Sequence, residues 1–127
     1  VLIVEDHEFF QRSILSPLET EPAIEVVGTA TSGDQAIPLC RTLRPDVVLM
    51  DIRLPYEDGY GALKKIRASE KLRAIPIIAV TAEASTDQMN KAKASGFDGF
   101  LGKPLDPDKF PDQIRRILHG EAVWEFS

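Results

Sequence analysis

The chain has 127 residues, of which 43% are hydrophobic and 28% charged, and this composition indicates one soluble globular domain rather than a disordered or fibrous protein. Its formal net charge of −5, without a stripe of basic residues, argues against direct nucleic-acid binding. The apolar runs are only as long as strands, so we expect no membrane span, and the single cysteine, Cys40, fits the cytoplasm, where we expect the protein to act.

Five short apolar segments alternate with five segments of helical spacing. The predicted strands are Val1–Val4, Ile24–Gly28, Asp46–Met50, Pro76–Val80 and Asp98–Leu101. The predicted helices are His7–Glu19, Gly33–Leu43, Tyr60–Glu70, Thr86–Ser95 and about Phe110–His119. This alternation predicts an α/β fold in which right-handed crossovers join parallel strands and helices cover both faces of the sheet.

The ends of two predicted helices carry recognisable capping residues. Ser32-Gly-Asp-Gln35 and Ser85-Thr-Asp-Gln88 fit the capping box, in which side chains satisfy the free backbone groups of the first turn. Gly96 lies where a left-handed helix end is expected, because glycine adopts that conformation without a steric penalty. These residues support the predicted helix boundaries.

Charged or hydroxyl side chains follow four of the predicted strands, at the points where the strands end. They are Glu5 and Asp6, Asp51, Thr81, and Lys103. Because open α/β sheets bind ligands at the carboxyl edge of their strands, we expect these five side chains to converge. Three neighbouring carboxylates would repel one another without a cation, and their hard oxygen atoms suit Mg²⁺ (or Mn²⁺).

The chemistry of each side chain points to phosphoryl transfer. Asp51 ends a strongly apolar strand, and a carboxylate there can attack phosphorus and form an acyl phosphate. The Thr81 hydroxyl can donate to a phosphoryl oxygen, and the Lys103 ammonium can pair with it. Taken singly, each residue is more commonly structural, since an aspartate often caps a helix and acids favour its positive end. Their joint position at four strand ends is what indicates a site.

Four strings in the chain closely resemble the receiver domain of two-component response regulators: Glu5-Asp6-His7, Met50-Asp-Ile-Arg-Leu-Pro55 with Asp58-Gly59, Thr81-Ala-Glu-Ala84, and Lys103-Pro104. The resemblance covers nearly the whole chain. It implies a flavodoxin-like, doubly wound fold whose five-stranded parallel sheet has the order 2-1-3-4-5. It also implies a receiver domain over residues 1–120, followed by a C-terminal tail or linker over residues 121–127.

The resemblance assigns roles to the candidate site residues. Asp51 would accept a phosphoryl group from a phosphohistidine on a sensor histidine kinase or a histidine phosphotransfer protein. Asp6, Asp51 and the backbone carbonyl of Arg53 would bind Mg²⁺, with Glu5 helping. Lys103 would pair with the phosphoryl group.

The resemblance further implies a phosphorylation-controlled binding switch, with at most self-directed phosphotransfer and autodephosphorylation as enzymatic activity. Thr81 would move toward the phosphoryl group, and Phe100 occupies the position of the family's aromatic switch, although an aromatic residue in a strand is more commonly core. The output would pass through the surface of the fourth helix, fifth strand and fifth helix. It would reach a downstream protein, an output domain absent from this chain, or a second copy in a homodimer.

Three further residues are predicted to modulate the site. In the resembling family, the second positions after the acceptor and after the threonine bear on phosphoryl lifetime, and here they are Arg53 and Glu83. Their opposite charges predict an ion pair that obstructs the hydrolytic water. A cis peptide bond at Pro104 is the hypothesis for how the chain turns the Lys103 ammonium inward.

The sequence bears on three alternative functions for this fold. An aspartate-nucleophile phosphatase places a second aspartate two residues after the first, where this chain has Arg53. A flavodoxin-like binder of flavin mononucleotide carries a phosphate loop rich in Ser, Thr and Gly after its first strand, where this chain has Glu5-Asp6-His7. A receiver-like domain that no longer accepts phosphate would lack part of the acceptor set.

Overall fold

The computed structural model describes residues 1–53, 59–82, 85–103 and 105–125, apart from the side chains of Glu8 and Phe9. These residues form six strands: β1 (Leu2–Val4), β2 (Gly28–Ala30), β3 (Val48–Asp51), β4 (Ile77–Thr81), β5 (Gly99–Gly102) and β6 (Trp124–Glu125). They also form five helices: α1 (Glu8–Glu19), α2 (Gly33–Leu43), α3 (Gly59–Ala68), α4 (Thr86–Ser95) and α5 (Phe110–Leu118). Within the described ranges, every helix is too short or too polar to cross a lipid bilayer.

The six strands form one sheet in the order β2-β1-β3-β4-β5-β6, and every neighbouring pair is parallel. The predicted α/β fold and the order 2-1-3-4-5 are therefore confirmed. The sixth strand is an addition, and it lies within residues 121–127, for which the sequence predicts a tail or linker. It extends the sheet beyond β5.

The second strand lies later in the chain than predicted. The sequence favours Ile24–Gly28, but β2 begins at Gly28 because β1 has only three paired positions, which align with Gly28–Ala30. Ile24 is instead held in a turn, where its N–H donates to the Glu21 carbonyl oxygen at 3.1 Å, and its side chain is buried in the core. The other predicted strand and helix boundaries agree with the structure within one or two residues.

The two faces of the sheet bury separate apolar clusters, as expected for a sheet covered on both sides. Leu2 and Val4 belong to the cluster that includes residues of α2, α3 and α4. Ile3, which alternates with them, belongs to the cluster that includes residues of α1 and α5. Cys40 of α2 is fully buried in the first cluster, and burial raises the pKa of its thiol, which fits a structural role.

The predicted helix caps are present. The Ser32 side chain accepts a hydrogen bond from the backbone N–H of Gln35 at 3.2 Å, and the Ser85 side chain accepts one from Gln88 at 3.1 Å. Gly96 ends α4 with a left-handed φ of 105°. These local interactions set the starts of α2 and α4 independently of the core.

Candidate functional site

The carboxyl ends of the central strands lie together at one edge of the sheet. β3 pairs with β4 so that Asp51 lies opposite Val80, and β4 pairs with β5 so that Thr81 lies opposite Gly102. The Lys103 N–H donates to the Thr81 carbonyl oxygen at 2.8 Å, which continues the pairing one residue beyond β5. The register therefore brings Asp51, Thr81 and Lys103 to the same edge.

Three carboxylates form a cluster at this edge. Glu5 follows β1, and its N–H donates to the Ala30 carbonyl oxygen at 2.9 Å, which holds the chain level with β2. Oxygen atoms of Glu5, Asp6 and Asp51 lie within 4.8 Å of one another. Glu5 and Asp51 are buried, and Asp6 is exposed. Such a set of hard oxygen donors, open to water on one side, fits a Mg²⁺ ion that keeps part of its hydration shell.

The Lys103 ammonium lies between two of these acids. Its Nζ donates to the Glu5 carboxylate and, at 3.3 Å, to Oδ2 of Asp51. It also lies 4.4 Å from the centroid of the Phe10 ring, which adds a cation–π contact. The Lys103 side chain is only 6% exposed, so its charge acts in a partly desolvated environment.

The carboxyl group of Glu5 is strongly perturbed. Burial raises its pKa to about 7, and the neighbouring Asp51 adds to this increase, while the Lys103 ammonium opposes it. Near neutral pH, Glu5 is therefore a mixture of the protonated and the ionised form. This proton offsets part of the negative charge that three neighbouring acids would otherwise carry.

Asp51 is held from two sides. Its Oδ1 accepts a hydrogen bond from the backbone N–H of Arg53 at 3.1 Å, and its Oδ2 accepts the bond from Lys103. Arg53 therefore lies directly beside the carboxylate cluster, with its side chain exposed. The role of the Arg53 carbonyl as a cation ligand stays a prediction.

The remaining candidates are placed as follows. Thr81 is buried at the end of β4, and Phe100 is fully buried in the apolar cluster beneath α2, α3 and α4. Glu83 and Pro104 lie outside the described residues, so the ion pair with Arg53 and the cis bond stay predictions.

Two residues of α1 support the site and are not predicted from the sequence. Phe10 contacts the Lys103 ammonium, and the Gln11 side chain donates to the Glu5 carbonyl oxygen at 2.6 Å. The only signal for them is an aromatic and an amide side chain in the first turns of a helix that follows Glu5-Asp6. That pattern is too common to single them out.

Gly59, at the start of α3, is a third supporting residue. A Cβ atom at this position would lie 2.7 Å from the Asp51 carbonyl oxygen and 2.8 Å from the Ile52 Cα. Its N–H donates to the Ile52 carbonyl oxygen at 2.6 Å. Only glycine allows α3 to approach the end of β3 this closely.

A family model described as the response regulator receiver domain matches residues 1–115. The chain belongs to this family. The resemblance found in its motifs is thereby confirmed. This receiver domain is 34% identical over 125 residues to the response regulator protein VraR of Staphylococcus epidermidis, a match that covers 98% of the chain and 59% of VraR. The chain thus spans less than two thirds of that relative.

Solved structures share the fold of this receiver domain. A two-component response regulator of the LuxR family from Aurantimonas sp. has a TM-score of 0.86 and 30% identity, with 96% of this chain and 86% of that one covered. The receiver domain of a sensor histidine kinase from Pseudomonas aeruginosa has a TM-score of 0.79 and 34% identity, with 94% and 96% covered. That second structure contains a magnesium ion coordinated in its active-site cleft.

Proposed function

We propose that this receiver domain accepts a phosphoryl group on Asp51 from a phosphohistidine of a sensor histidine kinase or a histidine phosphotransfer protein, and that Mg²⁺ (or Mn²⁺) is required. The observation that carries the proposal is the position of the Lys103 ammonium between Glu5 and Asp51. A buried carboxylate beside a buried ammonium is suited to hold a transferring phosphoryl group.

In this mechanism Asp51 is the nucleophile. One carboxylate oxygen attacks phosphorus, and the nitrogen–phosphorus bond of the donor breaks, so that its electron pair returns to the imidazole. The Arg53 N–H holds Oδ1 of Asp51, which orients the carboxylate before the attack. Fixing the nucleophile in this way reduces the entropy lost on reaching the transition state.

Asp6, Asp51 and the Arg53 carbonyl would hold the cation, with Glu5 helping. A bound Mg²⁺ supplies positive charge that reduces repulsion between the entering phosphoryl oxygens and the carboxylates. The magnesium ion in the cleft of the Pseudomonas aeruginosa receiver domain supports this assignment, because that protein is 34% identical to this chain. The carboxylate cluster has the donor atoms that such an ion prefers.

Lys103 and Thr81 respond to the transferred group. The Lys103 ammonium exchanges its Asp51 contact for a phosphoryl oxygen, and the Thr81 hydroxyl donates to another. Movement of Thr81 and of Phe100 then changes the surface formed by α4, β5 and α5, here called the output surface. A downstream protein, an output domain or a second copy binds it, by a shift in population between existing conformations.

Phosphoryl uptake is tested directly by mass. After incubation of the whole chain with a small acyl phosphate and Mg²⁺, we expect intact-protein mass spectrometry to show the gain of one phosphoryl group. Asp51→Asn should gain none, because an amide is a poor nucleophile. Asp46→Asn is a matched control, since Asp46 is exposed and precedes the same strand at its opposite end. It should gain as much as the unmodified chain.

Two outcomes contradict the proposal. If the unmodified chain gains no mass with Mg²⁺ present, the phosphoryl-accepting function is wrong. If Asp51→Asn gains as much as the control, the acceptor is a different residue.

A further inference from the structure

Strand β6 covers the edge of the output surface. The Phe100 N–H donates to the Val123 carbonyl oxygen at 2.9 Å, and Trp124 and Glu125 pair in parallel with Phe100 and Leu101. The segment therefore closes the backbone edge that β5 would otherwise present between α4 and α5.

The side chains of β6 join the two flanking helices. The Nζ of Lys93, in the last turn of α4, lies 4.9 Å from the centroid of the Trp124 ring. The Glu125 carboxylate accepts hydrogen bonds from Gln113 Nε2 at 2.8 Å and from Arg116 Nη1 at 3.2 Å, both on α5. Residues 123–125 thus contact all three elements of the output surface.

The contact with α5 has the character of a specific recognition site. Gln113 is 2% exposed, and within the described part of the chain its Oε1 accepts no hydrogen bond. Its Nε2 donates to Glu125, and this bond, followed by the hydrogen bond and the charge of Arg116, holds the pKa of Glu125 below its ordinary value. The donating Nε2 of this buried amide, beside the Arg116 guanidinium, therefore suits an acceptor such as a carboxylate.

Only the last two residues of the cover are loosely held. β6 has only two residues, and both are half-buried, whereas Val123 before them is 1% exposed. Cation–π contacts and ion pairs at such exposed positions stabilise a protein only slightly. Gly120, with a φ of 89°, begins the turn that leads from α5 to this segment. Trp124 and Glu125 can therefore separate from β5 while Val123 stays buried beside α5.

β5 connects this cover to the phosphorylation site. Phe100 bonds to Val123 at the strand's beginning, and Lys103, directly after the strand, contacts Asp51. A displacement of Lys103 by a phosphoryl group therefore acts on the strand against which β6 is paired.

Resting on the proposed function, we infer that Val123–Glu125 is a cis-acting cover of the output surface and that phosphorylation of Asp51 loosens it. The uncovered surface would present the β5 backbone edge with Lys93 on one side and Gln113 on the other. It fits an extended partner segment in which an aromatic residue is followed by an acidic one, because the chain's own segment has that order.

Trp124 is the only tryptophan in the chain, so acrylamide quenching of its fluorescence measures the cover directly. Treatment of the whole chain with a small acyl phosphate and Mg²⁺ should raise the quenching constant of Trp124 by roughly twofold or more. The reason is that the conformation in which β6 has left β5 becomes strongly populated. Asp51→Asn should show no increase. Mass measured on the same samples separates the two proposals: phosphorylation without a change in quenching overturns this inference and leaves the proposed function intact.

A second arm tests the cover without phosphorylation. Glu125→Ala removes the bonds to α5 and should raise Trp124 quenching in the untreated protein. Glu121→Ala is the matched control, because Glu121 also lies beside Arg116, at 3.8 Å, but precedes β6. Equal quenching of Glu125→Ala and the unmodified chain would overturn the cover, whether or not Asp51 is phosphorylated.

Discussion

The protonation state of Glu5 is expected to make cation binding at the site depend on pH. Its pKa is raised to about 7, mainly by burial, and the neighbouring Lys103 ammonium only partly offsets this. A cation among the carboxylates favours the ionised form, so the proton must leave when the cation binds. Since the pKa lies near neutrality, this coupling falls in an accessible pH range.

We therefore predict that the affinity for Mg²⁺ depends on pH. Below pH 7 the cation must displace the Glu5 proton, and the affinity should fall by up to about tenfold per pH unit. Above pH 7 Glu5 is already ionised, and the affinity should level off. Isothermal titration calorimetry at pH 6, 7 and 8 measures this, and buffers of different ionisation enthalpy count the released protons.

Glu5→Gln is the control for this prediction. The amide keeps the shape of the side chain and cannot titrate, so the step near pH 7 should disappear even if the affinity is lower throughout. A step of the same size in Glu5→Gln would show that another group is responsible.

At the scale of elements, the approach of α3 to β3 depends on one glycine. We predict that Gly59→Ala destabilises the domain by about 1–3 kcal/mol, because the added Cβ meets backbone atoms that cannot rotate away. Urea unfolding measures the change. Since the contact is to the Asp51 and Ile52 backbone, phosphoryl uptake should slow as well.

Lys64→Ala is a suitable comparison on the same helix, since Lys64 is exposed. It should change the free energy of unfolding by less than about 0.5 kcal/mol. A similar loss for both variants would mean that the helix as a whole is fragile and that the close approach at Gly59 is unimportant.

Strand pairing explains where sequence-based prediction of the elements failed. The run from Ile24 to Val27 is apolar enough for a strand, but the pairing partner β1 is short and aligns with Gly28–Ala30. β6 is equally invisible locally, because two residues are too few to show an alternating pattern. Both errors concern contacts between distant parts of the chain, whereas the capped helices α2 and α4 are determined locally.

The same distinction applies to the site. Glu5, Asp51 and Lys103 could be predicted to meet because strand ends in a parallel sheet share an edge. Phe10 and Gln11 reach the site from a helix, and their contacts depend on how α1 packs. Gly59 was visible as part of a family motif, but its reason, a backbone contact with β3, required coordinates.

For the whole molecule, cation binding and folding are linked. Asp51 lies far along the chain from the adjacent Glu5 and Asp6, and the three carboxylates meet only in the folded state, so Mg²⁺ should bind the unfolded chain much more weakly. We predict that Mg²⁺ at about 100 times its Kd raises the free energy of unfolding by about 2.7 kcal/mol. Urea unfolding with Mg²⁺, against NaCl of equal ionic strength, measures this.

Asp51→Asn should show a much smaller gain from Mg²⁺, because one of the proposed ligands is weakened. An equal gain in this variant would place the cation elsewhere on the molecule.

The two-residue strand at the border of the sheet has a consequence for behaviour in concentrated solution. When that strand is displaced, the amide and carbonyl groups of β5 become available to any extended chain nearby. Copies of the protein would then pair through the β5 edges, and the extent of this pairing would depend on the protein concentration. If phosphorylation of Asp51 loosens β6 as inferred above, it would therefore also favour self-association.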